Sequence, residues 1–485
     1  MVLQMAPKRA HLWGYGVPDA LVTLTFDQIS ENTTVQESEI WELWLPPQEA
    51  GGPHILHFEH QELSGGPLTK VNVAGVLFGD VWLCLGEGNM EFFMGSLDNF
   101  EEEVNVASTF YGMRLFHVGR GEATEEVPEI GTNIEQQWTT PYEGVLEWYS
   151  AECLFFGQML SNYFPARPIG LIEFAWTGTS LQSWMPKQVI EECQTREAEN
   201  THPSSGIHNA IMHPLSKFTV RGVLWDHGDS ISESDAMNRS EFHCATRGLF
   251  DHWRATFADS TAGDLPIGLV QLGPDSSVAV AEGTAPVRIF QMELADPGLY
   301  PETAMDKIFT AATFDLVDNI TSSKDLFTKM FQAKRDVAHR LFTSAKEVVF
   351  SNENSTNLRM EISKADKAQI ILEFSGDIKL NGSHGFAYAT SLDDGNWTEA
   401  VVVGGEGRRV LLEPPPIEAK VVGYAIHTTP CLHLQCAVYD SNGLPLYPRV
   451  LPLPSSSPST TVALGSKQFT LLMTTVYLII SNSAN

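Results

Sequence analysis

The chain has 485 residues, 43% of them hydrophobic and 10% aromatic, enough apolar surface for two or three packed domains and too much for a disordered polymer. A formal net charge of −30 excludes a nucleic-acid partner, because phosphates are held by clustered Lys and Arg. The same charge opposes long-range steering of an anionic ligand, which would need a local cation, with Arg221 and Arg288 as candidates.

In chain order, residues 1–75 read as short strands. The turn cluster Trp13-Gly-Tyr-Gly-Val-Pro-Asp precedes the alternating run Ala20-Leu-Val-Thr-Leu-Thr-Phe, and a second alternating run covers Ile40 to Leu45. Residues 76–345 change character. Short apolar runs, Val76 to Phe78 and Val81 to Leu85, then Pro168 to Phe174, Val220 to Trp225 and Pro266 to Leu272, alternate with helical spacing over Val145 to Leu160 and Lys329 to Val348. That alternation predicts an α/β domain with a mainly parallel sheet. From 346 to 450 the period returns to two, as in Ala368-Gln-Ile-Ile-Leu-Glu-Phe, which predicts a terminal β-sandwich-like domain. Residues 451–485 form a tail with a polar spacer and the apolar run Phe469 to Ile480, which is shorter than the ~20 residues of a membrane span. Its polar ending, Ser481-Asn-Ser-Ala-Asn, spoils the outline of a lipid-anchor signal, so membrane anchoring is not expected.

The six cysteines show no metal-ligand spacing, and neither a metal nor a cofactor is expected. Cys431 and Cys436 are spaced to close a small disulfide loop. N-glycosylation sequons occur at Asn32, Asn238, Asn319, Asn354, Asn381 and Asn396, which favours the secretory pathway. The start, Met1-Val-Leu-Gln, carries neither a charged n-region nor an apolar h-region, so no signal peptide is visible.

The segment with most chemical content is Leu77-Phe-Gly-Asp-Val-Trp-Leu-Cys-Leu-Gly-Glu-Gly-Asn-Met90. It resembles the first block of sialate O-acetylesterases in the SGNH-hydrolase superfamily, where a strand ends in G-Q-S-N-M and the serine is the nucleophile. Pro168-Ile-Gly-Leu-Ile-Glu-Phe-Ala-Trp-Thr-Gly-Thr-Ser-Leu-Gln-Ser-Trp184 resembles the second block, P-I-G-L-I-x-x-x-W-G-G-T. Asn209-Ala-Ile-Met-His-Pro-Leu215 resembles N-A-M-I-H-P-L, and Arg221-Gly-Val-Leu-Trp-Asp-His-Gly-Asp-Ser-Ile231 resembles G-V-x-W-Y-Q-G-E-S-N. Leu265 to Leu272, Phe250 to Arg254 and Thr429 to Cys436 extend the likeness across residues 1–450.

The resemblance implies an SGNH-hydrolase (flavodoxin-like) α/β fold between two β-domains. It implies removal of O-acetyl groups from sialic acids through a serine acyl-enzyme, an O-acetylated sialic acid or sialoglycan as ligand, and a secreted or lysosomal location. The blocks themselves depart from the pattern. Gly88 stands at the serine, and a glycine has no side chain with which to attack. The family's histidine, in a segment like S-I-H-P-R-D-K before a helix near V-A-Y-R-L, falls on Met330 when counted back from Val337-Ala-His-Arg-Leu341. Losing nucleophile and base together predicts a pseudoenzyme, since the two act as a unit. The implied oxyanion and cleft residues are Gly86, Glu87, Gly88, Asn89, Gly178, Trp225, His227 and Asp229. A rival reading keeps weak esterase activity, with His227 and its acidic neighbours activating water or binding a metal; another keeps only glycan binding or an interaction role. The start of the chain resembles an internal point of the family, so the first β-domain is expected to be incomplete.

Overall fold

Alternating runs near the N-terminus become β1 (Val2–Gln4), β2 (Ala10–Tyr15), β3 (Leu21–Phe26), β4 (Ile29–Thr34), β5 (Ile40–Leu45) and β6 (Gly51–Gln61) in the computed structural model. It describes residues 1–62, 65–131, 133–195, 202–228, 237–259, 264–273, 284–297, 300–316, 332–351, 358–365, 369–391, 396–427 and 429–454. In β3, Val22, Leu24 and Phe26 are buried while Thr23 and Thr25 stay partly open, the period of two expected of a sheet with one packed face.

The central sheet is built from β7 (Thr69–Gly86), β8 (Met113–Val118), β9 (Ile134–Thr139), β10 (Ile169–Ala175), β11 (Gly222–Asp226), β12 (Ile267–Val270) and β13 (Ile308–Ala311). Its order is β13-β12-β11-β7-β10-β8-β9, and every neighbouring pair is parallel except β8 with β9. The two runs read separately at Val76 and Val81 are one strand of 18 residues. Its first part pairs antiparallel with β6, and its last seven residues, Asp80 to Gly86, pair parallel with β10. Asp80, which breaks the apolar run, is buried in the strand and bonded to Arg167 at 2.7 Å.

Helices cover both faces. They are α1 (Gly88–Glu91), α2 (Phe100–Ala107), α3 (Glu143–Leu146), α4 (Ala151–Tyr163), α5 (Leu181–Trp184), α6 (Lys187–Cys193), α7 (His213–Leu215), α8 (Arg239–Thr256), α9 (Thr284–Ala295) and α10 (Lys334–Ala345). The single helix read over Val145 to Leu160 is two, because Ser150 ends the turn after α3 and caps α4 by accepting from Cys153 N at 3.2 Å. Alternation along β7 feeds two cores. Val81, Leu83 and Leu85 pack with Phe174, Trp225 and residues of α8, whereas Trp82 and Cys84 pack with Leu171, Leu224 and residues of α4 and α10. Both faces of β10, of β11 and of β7 from Val76 onward are buried, as a parallel sheet between helices requires.

Residues after α10 form antiparallel sheets. Met360–Ala365, Ile370–Phe374, Arg409–Leu412 and Val402–Glu406 make one, and Thr398–Ala400, Phe386–Ala389, Val421–Tyr424 and Arg449–Pro452 another. They share a core that includes Leu372, Tyr388 and Tyr424 and reaches Phe314 beyond β13. Arg340 of α10 bonds Asp315 through both carboxylate oxygens, at 2.6 and 2.9 Å, and Tyr439 donates to the same carboxylate at 2.8 Å.

All six cysteines pair, as Cys84–Cys153, Cys193–Cys244 and Cys431–Cys436. The first ties β7 to α4 and the second α6 to α8. Among the described residues no helix is long and apolar enough to cross a membrane. The tail beyond residue 454, with its apolar run, lies outside the described residues.

Candidate active site

The register brings three strand tips level. Gly86 of β7 sits opposite Ala175 of β10 and Asp226 of β11. Crevices beyond the carboxyl ends of such strands are where ligands bind in open α/β sheets. Gly86 has φ +152°, and a Cβ there would lie 1.9 Å from the Asp226 carbonyl oxygen. Only glycine allows the approach that lets Glu87 N donate to Asp226 O at 2.9 Å and Trp176 N to Gly86 O at 3.0 Å.

Just past that turn, Glu87 is fully buried. Its Oε2 accepts from Gly178 N at 3.2 Å and its Oε1 from Gly228 N at 2.8 Å. Gly178 holds φ +86°. His227 Nδ1 stands 4.0 Å from Glu87 Oε1. The His227 ring stacks on Trp225 with centroids 4.8 Å apart and an interplanar angle of 2°, and meets the edge of Trp184. Trp225 and His227, with Gly178, Thr179, Ser180 and Phe242, line a cavity of about 70 Å³.

Gly88 opens α1, whose four residues are all buried. Asn89 accepts through Oδ1 from the Nζ of Lys334, a fully buried lysine at the start of α10. Four residues after Glu87, Glu91 is bound differently: it accepts from Thr177 N at 2.7 Å, from the Thr177 hydroxyl and from Arg120. Arg120 also lies over Trp176, 5.6 Å from the ring centroid. Behind them Glu173 of β10 is fully buried, 3.3 Å from His117 Nε2. Burial, and then the charge of Glu91, raise the Glu173 pKa well above the ordinary carboxylate value, and burial lowers that of His117.

Of the residues expected at the site, Gly86, Glu87, Gly88, Asn89, Gly178, Trp225 and His227 gather at these tips. Asp229, Ile231 and Met330 lie outside the described residues. Arg221 and Arg288 do not serve the site. Arg221 immediately precedes β11, at the opposite end of the strand, and donates to Val349 O at 3.2 Å. Arg288 is buried and donates to the carbonyls of Leu272, Gly273 and His427. The cations at the tips are Arg120 and Lys334 instead. Lys334 had a signal, since the lysine of S-I-H-P-R-D-K falls on it by the count that puts the histidine on Met330; Arg120 sits in a loop with none.

Three nearby hydroxyls are hydrogen-bonded, whereas that of Thr246, which also lines the cavity, is buried without a hydrogen-bond partner. Thr177 bonds Glu91, Thr179 donates to Trp176 O at 2.8 Å and accepts from Trp184 Nε1, and Ser180 faces Ser183. Among the described residues no group of three or more His, Cys, Asp or Glu is arranged to hold a metal ion. Away from the site, Asn32, Asn238, Asn381 and Asn396 are exposed, and Asn238 caps α8 through its amide oxygen; Asn319 and Asn354 lie outside the described residues.

The family described as carbohydrate esterase, sialic acid-specific acetylesterase, matches residues 79–297, the stretch that carries all three tips. Proteins named sialate O-acetylesterase from Pongo abelii and Homo sapiens are each 29% identical over 486 aligned residues, covering 92% of this chain and 90% of theirs. A solved structure described as a novel carbohydrate acetylesterase from Xanthomonas citri superposes with a TM-score of 0.74 at 22% identity, over 93% of this chain and 96% of that one, a likeness of fold.

Proposed function

We propose that the chain is a catalytically inactive member of the sialate O-acetylesterase family, to which its central stretch and its full-length relatives are similar, retaining a cleft for O-acetylated sialic acid. The observation that carries this reading is Gly88 at the head of α1. The turn that presents the family's nucleophile is kept, and the residue on it has nothing to present. Without an acyl-enzyme the reaction needs a directly activated water; the Thr177, Thr179 and Ser180 hydroxyls are engaged in other hydrogen bonds, and Thr246 is the cavity-lining hydroxyl without one.

The cleft wall is better kept. The Trp184–Trp225–His227 cluster is aromatic, and Arg120, paired with Glu91 and lying over Trp176, is a cation near the strand tips, the feature an anionic sugar needs on so acidic a protein. Three disulfides and four exposed sequons favour an oxidising, secretory compartment, and so a secreted or lysosomal glycoprotein.

One observation favours a second reading, weak ester hydrolysis: His227 Nδ1 lies 4.0 Å from the anchored Glu87 carboxylate, the start of a base that activates water. Hydrolysis of a 9-O-acetylated sialoside by the purified chain, beside a Gly88→Ser/Met330→His variant, separates the two. The inactive reading expects no turnover by the native chain. Native turnover that His227→Ala abolishes would establish the second reading and sink the first.

A further inference from the structure

Glu87 has a role beyond filling space under the turn. We propose that its carboxylate is a built-in occupant of the donor pair formed by Gly178 N–H and Gly228 N–H, closing the site to anions such as acetate. The proposal rests on the reading of these tips as a degenerate acetylesterase centre, and it adds a second lock, independent of the missing serine.

The first support is acceptor arithmetic. Glu87 uses two different oxygens, Oε2 for Gly178 at 3.2 Å and Oε1 for Gly228 at 2.8 Å. The family block reads G-Q-S-N-M, with glutamine at this position. An amide has one acceptor oxygen and an NH₂ that only donates, so in the same pose it satisfies one backbone N–H and leaves the other for a ligand. Replacing the amide by a carboxylate converts a half-open donor pair into a filled one. Gly178 is also the glycine that the second block implies near the oxyanion hole, so the donor now engaged is one that chemistry would need.

Burial supplies the second support. Glu87 is fully buried, with Gly178 lining the adjoining cavity of about 70 Å³. An arriving acetate or tetrahedral oxyanion therefore meets donors already engaged by a buried carboxyl group. The third support is the neighbour. The other block glutamine, in W-Y-Q-G-E-S-N, is His227, and its Nδ1 lies 4.0 Å from Glu87 Oε1. Two amides of the family pattern have become an acid and an imidazole facing each other.

The test is titration of sodium acetate into the full chain by calorimetry, beside Glu87→Gln, Glu87→Asp and Glu87→Ala. The native chain is expected to show no saturable acetate binding. Glu87→Gln frees one donor, so it should bind acetate at least about tenfold more tightly than the native chain. Glu87→Asp, too short to span both donors, should gain in the same direction and stands in if the glutamine variant does not fold. Saturable binding by the native chain overturns the proposal without any variant. So does acetate binding gained by Glu87→Ala alone, which would mean that acetate merely fills a hole. Turnover of the sialoside by the native chain would overturn the inactive reading instead, and it is scored separately from acetate binding.

Discussion

The bodies and the tips of β7, β10 and β11 have followed different rules. In the bodies, Val81 to Leu85, Ile169 to Phe174 and Val223 to Trp225 are buried on both faces, and a change in any one disturbs a helix layer. Ile169 to Ile172 and Val223 with Trp225 also match the block letters P-I-G-L-I and G-V-x-W. At the tips, Glu87, Gly88, Asp226 and His227 sit within a few residues of those bodies and depart from the block pattern. Packing holds a residue whether or not the protein reacts with anything, whereas a nucleophile is held only by its reaction.

The contrast can be broken by experiment, beginning where the cost is greatest. Trp82→Ala, in the body of β7 and packed on Phe156 and Phe309, should lose about 3–5 kcal/mol of stability in urea unfolding. Removing the cross-link between β7 and α4 by Cys84→Ala/Cys153→Ala should cost about 2–4 kcal/mol in the same assay. A body residue that titrates gives a third measurement. Because burial raises the pKa of Glu173 in the folded chain, its contribution to stability is complete below the ordinary carboxylate value of 4.5 and is lost as pH rises toward the folded value. Glu173→Gln should therefore gain on the native chain more at pH 8 than at pH 4, read as the difference between two unfolding midpoints. At the tip the expected effect is smallest. Arg120 is 56% exposed at its side chain, so Arg120→Ala should cost no more than about 1 kcal/mol, and less in high salt. A tip substitution as costly as Trp82→Ala would erase the distinction between the two regions.

Much of this was legible in the residues. The matched blocks lie at the three tips, and the change from alternating to continuous apolar runs marks the passage from half-exposed strands to strands buried on both faces. What stayed hidden has physical causes. Asp80 and Gly79 disguise the continuity of β7, because a buried aspartate paired with Arg167 looks like a loop residue when its partner is 87 positions away. The Cys84–Cys153 and Cys193–Cys244 pairs span 69 and 51 positions, and spacing says nothing at that range. Glu173 sits inside an apolar strand run, where its raised pKa depends on burial and on Glu91, neither visible along the chain. Arg221 and Arg288 were the natural cations to choose from charge alone, yet one lies at the wrong end of its strand and the other is spent on carbonyl oxygens.

The length of β7 has a consequence for how the protein comes apart. One uninterrupted strand gives its first part to the N-terminal antiparallel pairing and its last seven residues to the parallel sheet beneath Glu87. Denaturant cannot peel the first sheet away without loosening the strand that supports the second. Amide protons in the β6-paired stretch and in Asp80 to Gly86 should then exchange through a shared opening, as one cooperative unit. The N-terminal strands are thus not a detachable accessory but part of the foundation on which the site stands.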